Sequence, residues 1–187
     1  LHLLSRRQRQ MCIETANKVL IYAGGGWQKT TLKGTPKPSS ISSDGAYSAG
    51  LRYFVTPEWA LDFSVNRSGT HGIHANGSKV GSYKLTSYSL AVQYHFRAAE
   101  RVKLYAGVGA GYFRSDQQDF KEGWGAKKDI FTPVIQAGGT VAITRNLHVT
   151  GGMDLGFPRY KAHSPTDDSF SMRPSPVTFK LALGLAF

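Results

Sequence analysis

From residue 18 to the end of the chain, large apolar residues recur at every second position. The segment 177–187 (VTFKLALGLAF) is the clearest. Val177, Phe179, Leu181, Leu183, Leu185 and Phe187 share one face, and Thr178, Lys180, Ala182, Gly184 and Ala186 share the other. A period of two is that of a pleated strand, so this segment reads as a strand with one greasy side. Residues 88–96 (YSLAVQYHF), 59–66 (WALDFSVN) and 104–112 (LYAGVGAGY) repeat the pattern, and weaker versions lie at 19–28, 46–55, 131–143 and 147–157. The alternation thus predicts eight strands. No run approaches the ~18 consecutive apolar residues of a membrane helix.

The connections alternate in length. Residues 56–58, 97–101 and 144–146 are short turns, whereas 29–45, 67–82, 114–129 and 158–175 are long, polar and rich in Gly, Ser, Pro and Lys. Short turns at one end and long loops at the other are the layout of an up-and-down barrel in an outer membrane. An even strand count puts both termini at the short-turn end, expected to be periplasmic.

The face opposite the apolar one decides whether the greasy side meets lipid or a ligand. It carries Arg52, Asp62, Gln93, His95, Lys103, Gln136, Asp154 and Lys180, interspersed with glycines. Small residues and opposite charges suit a narrow polar interior, and Trp59, Tyr94, Phe96, Tyr112, Phe157 and Phe187 near the strand ends suit interfacial girdles. The fold expected is all-β: an eight-stranded antiparallel up-and-down transmembrane β-barrel spanning 18–187. Counting outward from the turns places Arg52 near Asp62 and Asp154 near Lys180, with Gln136 beside Asp154. A low-dielectric lumen demands such pairing, so Arg52–Asp62 and Asp154–Lys180 are expected interior ion pairs that fix register.

Composition adds the partners. The 23 Lys and Arg outnumber the 12 Asp and Glu, for a net charge of +11. Much of the excess falls in or beside the long loops: Lys29, Lys33, Lys37, Lys79, Lys84, Arg114, Lys121, Lys127, Lys128, Arg159, Lys161 and Arg173. Lys and Arg bind phosphate by charge-assisted hydrogen bonds, so these residues are expected contacts for lipopolysaccharide in the outer leaflet of a bacterial outer membrane. Nucleic acid is not expected, because the aromatics sit on the lipid face rather than among the basic residues.

Residues 1–17 are basic and glycine-free. They read as an N-terminal extension, poorly ordered or a fragment scar; a periplasmic tail or a plug in the barrel is the functional alternative. Cys12 is the sole cysteine, which leaves no internal disulfide and no thiolate metal cluster. Gly24, Gly25 and Gly26 lack the Lys-Ser/Thr spacing of a phosphate loop. His71 and His74 (HGIH) lack a third ligand nearby, so neither metal nor cofactor is expected. Ser68, Ser78 and the adjacent His163 and Ser164 show no nucleophile motif, so catalysis is not expected.

Four segments carry a family resemblance. The run 90–96 (LAVQYHF), the run 104–111 (LYAGVGAG), the QAG of 136–138 leading to ITRNL at 143–147, and the ending 183–187 (LGLAF) together resemble the OmpW family of small outer-membrane barrels. The resemblance implies an eight-stranded barrel with a narrow hydrophobic channel, passively admitting small hydrophobic molecules and releasing them laterally through the wall. It also implies that Leu183, Leu185 and Phe187 form the signal read by the outer-membrane barrel assembly machinery. The family commonly has two prolines where Ser87 and Tyr88 stand here, and Pro133 is the mid-barrel proline that the expected strands contain. The alternative is a non-transport surface barrel of the OmpX or Ail type, acting through its loops in adhesion or envelope stability. A lipid A-modifying enzyme is the more distant alternative.

Overall fold

A computed structural model describes residues 18–33, 40–41, 44–75, 78–118, 125–126, 129–157, 160–163 and 169–187, with side chains for 18–29, 45–69, 84–114, 129–157 and 176–187. The extension at 1–17 lies outside the described residues.

Eight long antiparallel strands form a closed barrel. They are β1 (Val19–Lys33), β2 (Asp44–Phe54), β3 (Trp59–Ala75), β4 (Ser78–Ala99), β5 (Val102–Gln118), β6 (Asp129–Ala142), β7 (Leu147–Gly156) and β8 (Ser169–Ala186). Each pairs with its sequence neighbour, and β1 returns to β8 in register from Leu20↔Ala186 to Lys33↔Arg173. That closure matters physically, because in hydrocarbon every backbone N–H and C=O needs a protein partner and an open sheet edge has none. The shorter strands Ser40–Ile41, Gly125–Ala126 and Tyr160–His163 extend the sheet at the long-loop end.

The side-chain alternation sorts as the pattern requires. Leu90, Val92, Tyr94, Val108, Leu181 and Leu183 are exposed on the outer wall, while Ala91, Gln93, His95, Ala182 and Lys180 between them are buried. Val108, 65% exposed in mid-strand, belongs to a contiguous apolar belt with Leu90, Val92, Leu104 and Ile135, a patch of the kind that marks a membrane or protein contact. Aromatic pairs lock neighbouring strands on this wall: Trp27 stacks on Phe179 at 5.5 Å across the β1–β8 closure, Trp59 meets Tyr94 at 5.1 Å, and Tyr112 meets Phe131 at 4.9 Å.

Two of the three short turns share a chemistry. Thr56 Oγ1 accepts the N–H of Trp59 at 3.0 Å, and Thr144 Oγ1 accepts that of Leu147 at 3.0 Å. In each turn a threonine hydroxyl caps the chain three residues on and stands in for a backbone acceptor. Two expectations need correction. The β3–β4 connection expected at 67–82 is mostly strand, since β3 runs to Ala75 and β4 starts at Ser78. Strand also continues into 29–33, 114–118 and 169–175. The ladder rests on backbone hydrogen bonds and continues beyond the apolar band, whereas a period of two shows only where lipid and lumen demand different side chains. As a result Pro174 and Pro176 fall inside β8, and Pro133 is not alone in the wall.

Candidate functional site

The lumen is filled by side chains, as an eight-stranded barrel of this girth requires. Arg52 on β2 and Asp62 on β3 are register partners, both fully buried, with Arg52 Nε donating to Asp62 Oδ1 at 3.0 Å. Tyr22 on β1 donates its hydroxyl to Asp62 Oδ2 at 3.0 Å. Arg52 then crosses the barrel, and its Nη1 donates to Thr140 Oγ1 on β6 at 3.3 Å. Its guanidinium lies 4.5 Å from the Tyr105 ring centre and 5.5 Å from that of Tyr22, so two aromatic faces flank the buried cation.

A second cluster sits alongside. Lys180 Nζ on β8 donates to Asp154 Oδ2 on β7 at 2.9 Å. Asp154 lies opposite Thr178 and Lys180 opposite Gly152, so the two charges meet along a diagonal rather than face to face. Asn66 Nδ2 reaches the same carboxylate oxygen from β3 at 3.3 Å. Gln136 is the register partner of Asp154 on β6, yet its side chain turns the other way and accepts from Gln93 Nε2 at 2.7 Å. His95 Nε2 contacts Gln93 Oε1 at 3.1 Å. Lys103 is half-buried nearer the short turns, 5.7 Å from the Phe54 ring centre. Charges, amides and hydroxyls from opposite walls therefore form one polar plug.

Glycines make room for the large lumen residues. A Cβ at Gly152 or Gly138 would collide with the Tyr105 hydroxyl, one at Gly50 with the Tyr22 ring, and one at Gly156 with Phe113. The glycine-rich lumen face of β5–β7 is thus the complement of Tyr105 and Phe113.

The two ends differ. Toward the long loops the plug is capped by an apolar cluster of Leu85, Phe113 and Val134. Beside it the wall carries Pro133 on β6 and Pro176 on β8, with Phe131 and Phe157 exposed on the outside. Beyond β7 the sheet resumes with Tyr160–His163, which pairs with 169–172 of β8 in the register that β7 keeps. Proline has no N–H to give the ladder. Toward the short turns lies a cavity of about 600 Å³, whose floor includes His95 and Thr140 and whose rim carries Arg97, Arg101 and Arg145.

Of the residues expected to contact lipopolysaccharide, Lys29 and Arg114 are exposed and Lys84 is half-buried, all toward the long-loop end. Lys33, Lys79 and Lys161 lie in strands with side chains outside the described set. Lys127, Lys128 and Arg159 lie outside the described residues, as do the side chains of His71, His74 and His163. Leu183, Leu185 and Phe187 are exposed on the outer wall, and Phe187 N–H donates to the Val19 carbonyl at 2.9 Å. Among the described residues no group of three or more His, Cys, Asp or Glu is placed to hold a metal ion. The basic short-turn cavity was not expected from the sequence.

A closed barrel with an apolar outer belt, aromatic ends and a packed polar lumen defines the class of the small outer-membrane β-barrel proteins. Residues 11–96 match the family model of the outer membrane protein beta-barrel domain. The outer membrane protein OprG from Pseudomonas aeruginosa is 15% identical and superposes with a TM-score of 0.69 over 91% of this chain and 96% of its own. The outer membrane protein AlkL, solved in lipid bilayers, is 16% identical, with a TM-score of 0.65 over 91% of both chains. Neisserial surface protein A is 14% identical, with a TM-score of 0.63 over 90% of this chain and 97% of its own. No curated protein sequence matches the chain. At these identities the structural likeness is one of fold. The chain has the closed eight-stranded antiparallel barrel fold that these outer-membrane proteins share.

Proposed function

We propose that the barrel takes up small hydrophobic molecules passively, admitting them at the long-loop end and releasing them sideways through the wall. The observation that carries this reading is the apolar cap of Leu85, Phe113 and Val134 at the long-loop end of the lumen. A solute reaching that cap meets a polar plug below it, where desolvating the charges of Arg52, Asp62, Asp154 and Lys180 opposes entry. Sideways exit from the cap leads such a solute into lipid instead. The resemblance to the OmpW family supports the same route, with Pro133 and Pro176 on β6 and β8 taking the place of the prolines absent at Ser87 and Tyr88. In this reading the long loops face outward, Lys29, Lys84 and Arg114 contact lipopolysaccharide, and the termini are periplasmic. Leu183, Leu185 and Phe187 serve the assembly machinery, and the barrel is not an enzyme.

The test is uptake of a hydrophobic solute into liposomes bearing the protein. Uptake faster than into protein-free liposomes is expected, falling to the protein-free rate in Val134→Trp, which fills the cap. A wild-type rate equal to that of protein-free liposomes would refute the proposal. One observation favours a second reading, a non-transport surface barrel acting through its basic outer end: the plug seals the lumen at mid-depth. Wild-type uptake at the protein-free rate, with tight binding of lipopolysaccharide, is the outcome that reading expects.

A further inference from the structure

The short-turn mouth is built unlike the rest of the lumen. Its cavity of about 600 Å³ falls within the range of small-molecule sites. Among the described residues that line it, five are cations, Lys18, Arg97, Arg101, Lys103 and Arg145, and one is a carboxylate, Glu100. They come from the residue before β1, from the β4–β5 hairpin and from the β6–β7 turn, so only closure of the barrel brings them together. Glu58, in the remaining short turn, is held by Thr56 Oγ1 at 3.3 Å. Between the cations the wall is apolar, with Leu20, Phe54, Val55 and Ile143.

The floor adds an independent sign. His95 lines it, is 2% exposed, and its Nδ1 has no hydrogen-bond partner among the described residues. His148 also lines the cavity, and its Nε2 is likewise without one. Behind the floor, Arg52 is anchored to Thr140 through Nη1, and its Nη2 is unpartnered. Buried polar atoms left without a partner are uncommon, and these three lie at or behind the floor of a cationic mouth. In the sequence before Lys18, Arg6, Arg7 and Arg9 stand against Glu14 alone, so that segment's charge has the sign of the rim's.

We propose that this mouth is a binding site for a small organic anion, a carboxylate or phosphate head on an apolar body. The arginines of the two turns would take the head by paired N–H donors, and Phe54, Val55 and Ile143 would cover the body. The site stands apart from the proposed uptake route, which lies on the other side of the plug.

The test is a titration of the ¹⁵N-labelled full chain in zwitterionic phosphatidylcholine nanodiscs, which leave both mouths open, with benzoate, phenyl phosphate and neutral benzamide as probes. Saturable shifts are expected at the amides of the 97–103 and 143–148 segments for both anions, with benzamide at least about tenfold weaker. Arg101→Glu with Arg145→Glu should weaken benzoate binding by at least about tenfold, and Lys29→Glu with Arg114→Glu at the opposite end should leave it unchanged. Folding of each variant is read from its heat-dependent mobility in gels. Should the charge reversal fail to fold, Arg101→Gln with Arg145→Gln replaces it, with the same direction expected. Equal affinity for benzamide, no saturable shifts at millimolar anion, or unaltered binding in the turn variants would each overturn the proposal.

Discussion

Arg52 is a full charge with no exposed surface in the middle of a membrane-spanning barrel. It is tolerable only because Asp62, Thr140 and two aromatic rings surround it. Asp62→Ala removes the compensating charge and is expected to destabilise the barrel by about 3–5 kcal/mol. Replacing both members, Arg52→Met with Asp62→Leu, should cost less than Asp62→Ala alone, because no uncompensated charge remains. Urea unfolding of the barrel in lipid vesicles measures both, and a double variant weaker than the single one would show that the pair is worth more than an apolar core. Tyr105 makes the converse point: its buried hydroxyl has no hydrogen-bond partner among the described residues and lies where a Cβ at Gly152 would be. Gly152→Ala should cost about 1–3 kcal/mol by overpacking. Adding Tyr105→Phe should recover most of that loss in the same unfolding assay, and no recovery would mean that backbone contacts, not the hydroxyl, set the limit.

At the scale of the strand, the outer wall has one requirement, compatibility with lipid, and each strand meets it with alternate apolar residues. Val108→Arg places a charge near mid-strand on that wall and should destabilise by about 2–4 kcal/mol. Thr178→Ser, on the lumen face of β8, removes one methyl, brings no charge to lipid and should cost less. A smaller loss for Val108→Arg would mean that the residue does not face lipid. That same contrast made the strands legible in the sequence. Residues 88–96 and 177–187 declare both faces because one meets hydrocarbon and the other a polar plug. Arg52 and Asp62 could be matched because they are equidistant from the tight turn at 56–58. Beyond the apolar band the contrast vanishes, which is why 67–75 reads as loop and folds as strand. The short-turn mouth was illegible for another reason. Lys18, Arg101 and Arg145 are far apart in sequence and fall in turns with no period to read, so only barrel closure reveals them as one ring. The available signal was the repetition of arginine in two short turns, RAAER and TRN.

For the molecule as a whole, the plug divides the barrel into two compartments of opposite character, an apolar cap under the long loops and a cationic mouth under the short turns. No open aqueous path joins them through the layer of Arg52, Tyr22, Tyr105 and His95, all nearly without exposed surface. In planar bilayers the wild-type protein should therefore show no steady ionic conductance. Arg52→Ala with Tyr105→Ala removes the bulk of that layer and should introduce stepwise currents. Steady wild-type currents would mean that the plug yields under voltage.

The packed layer across the lumen bears on where anything admitted from the long-loop end would finally come to rest. With the axial path blocked, the proposed uptake leaves the bilayer as the receiving phase and not the water enclosed by it. Accumulation at equilibrium should then scale with the amount of lipid in a vesicle preparation and be indifferent to its trapped volume. Small and large vesicles matched for total lipid should fill to the same extent, although the large ones hold many times more water.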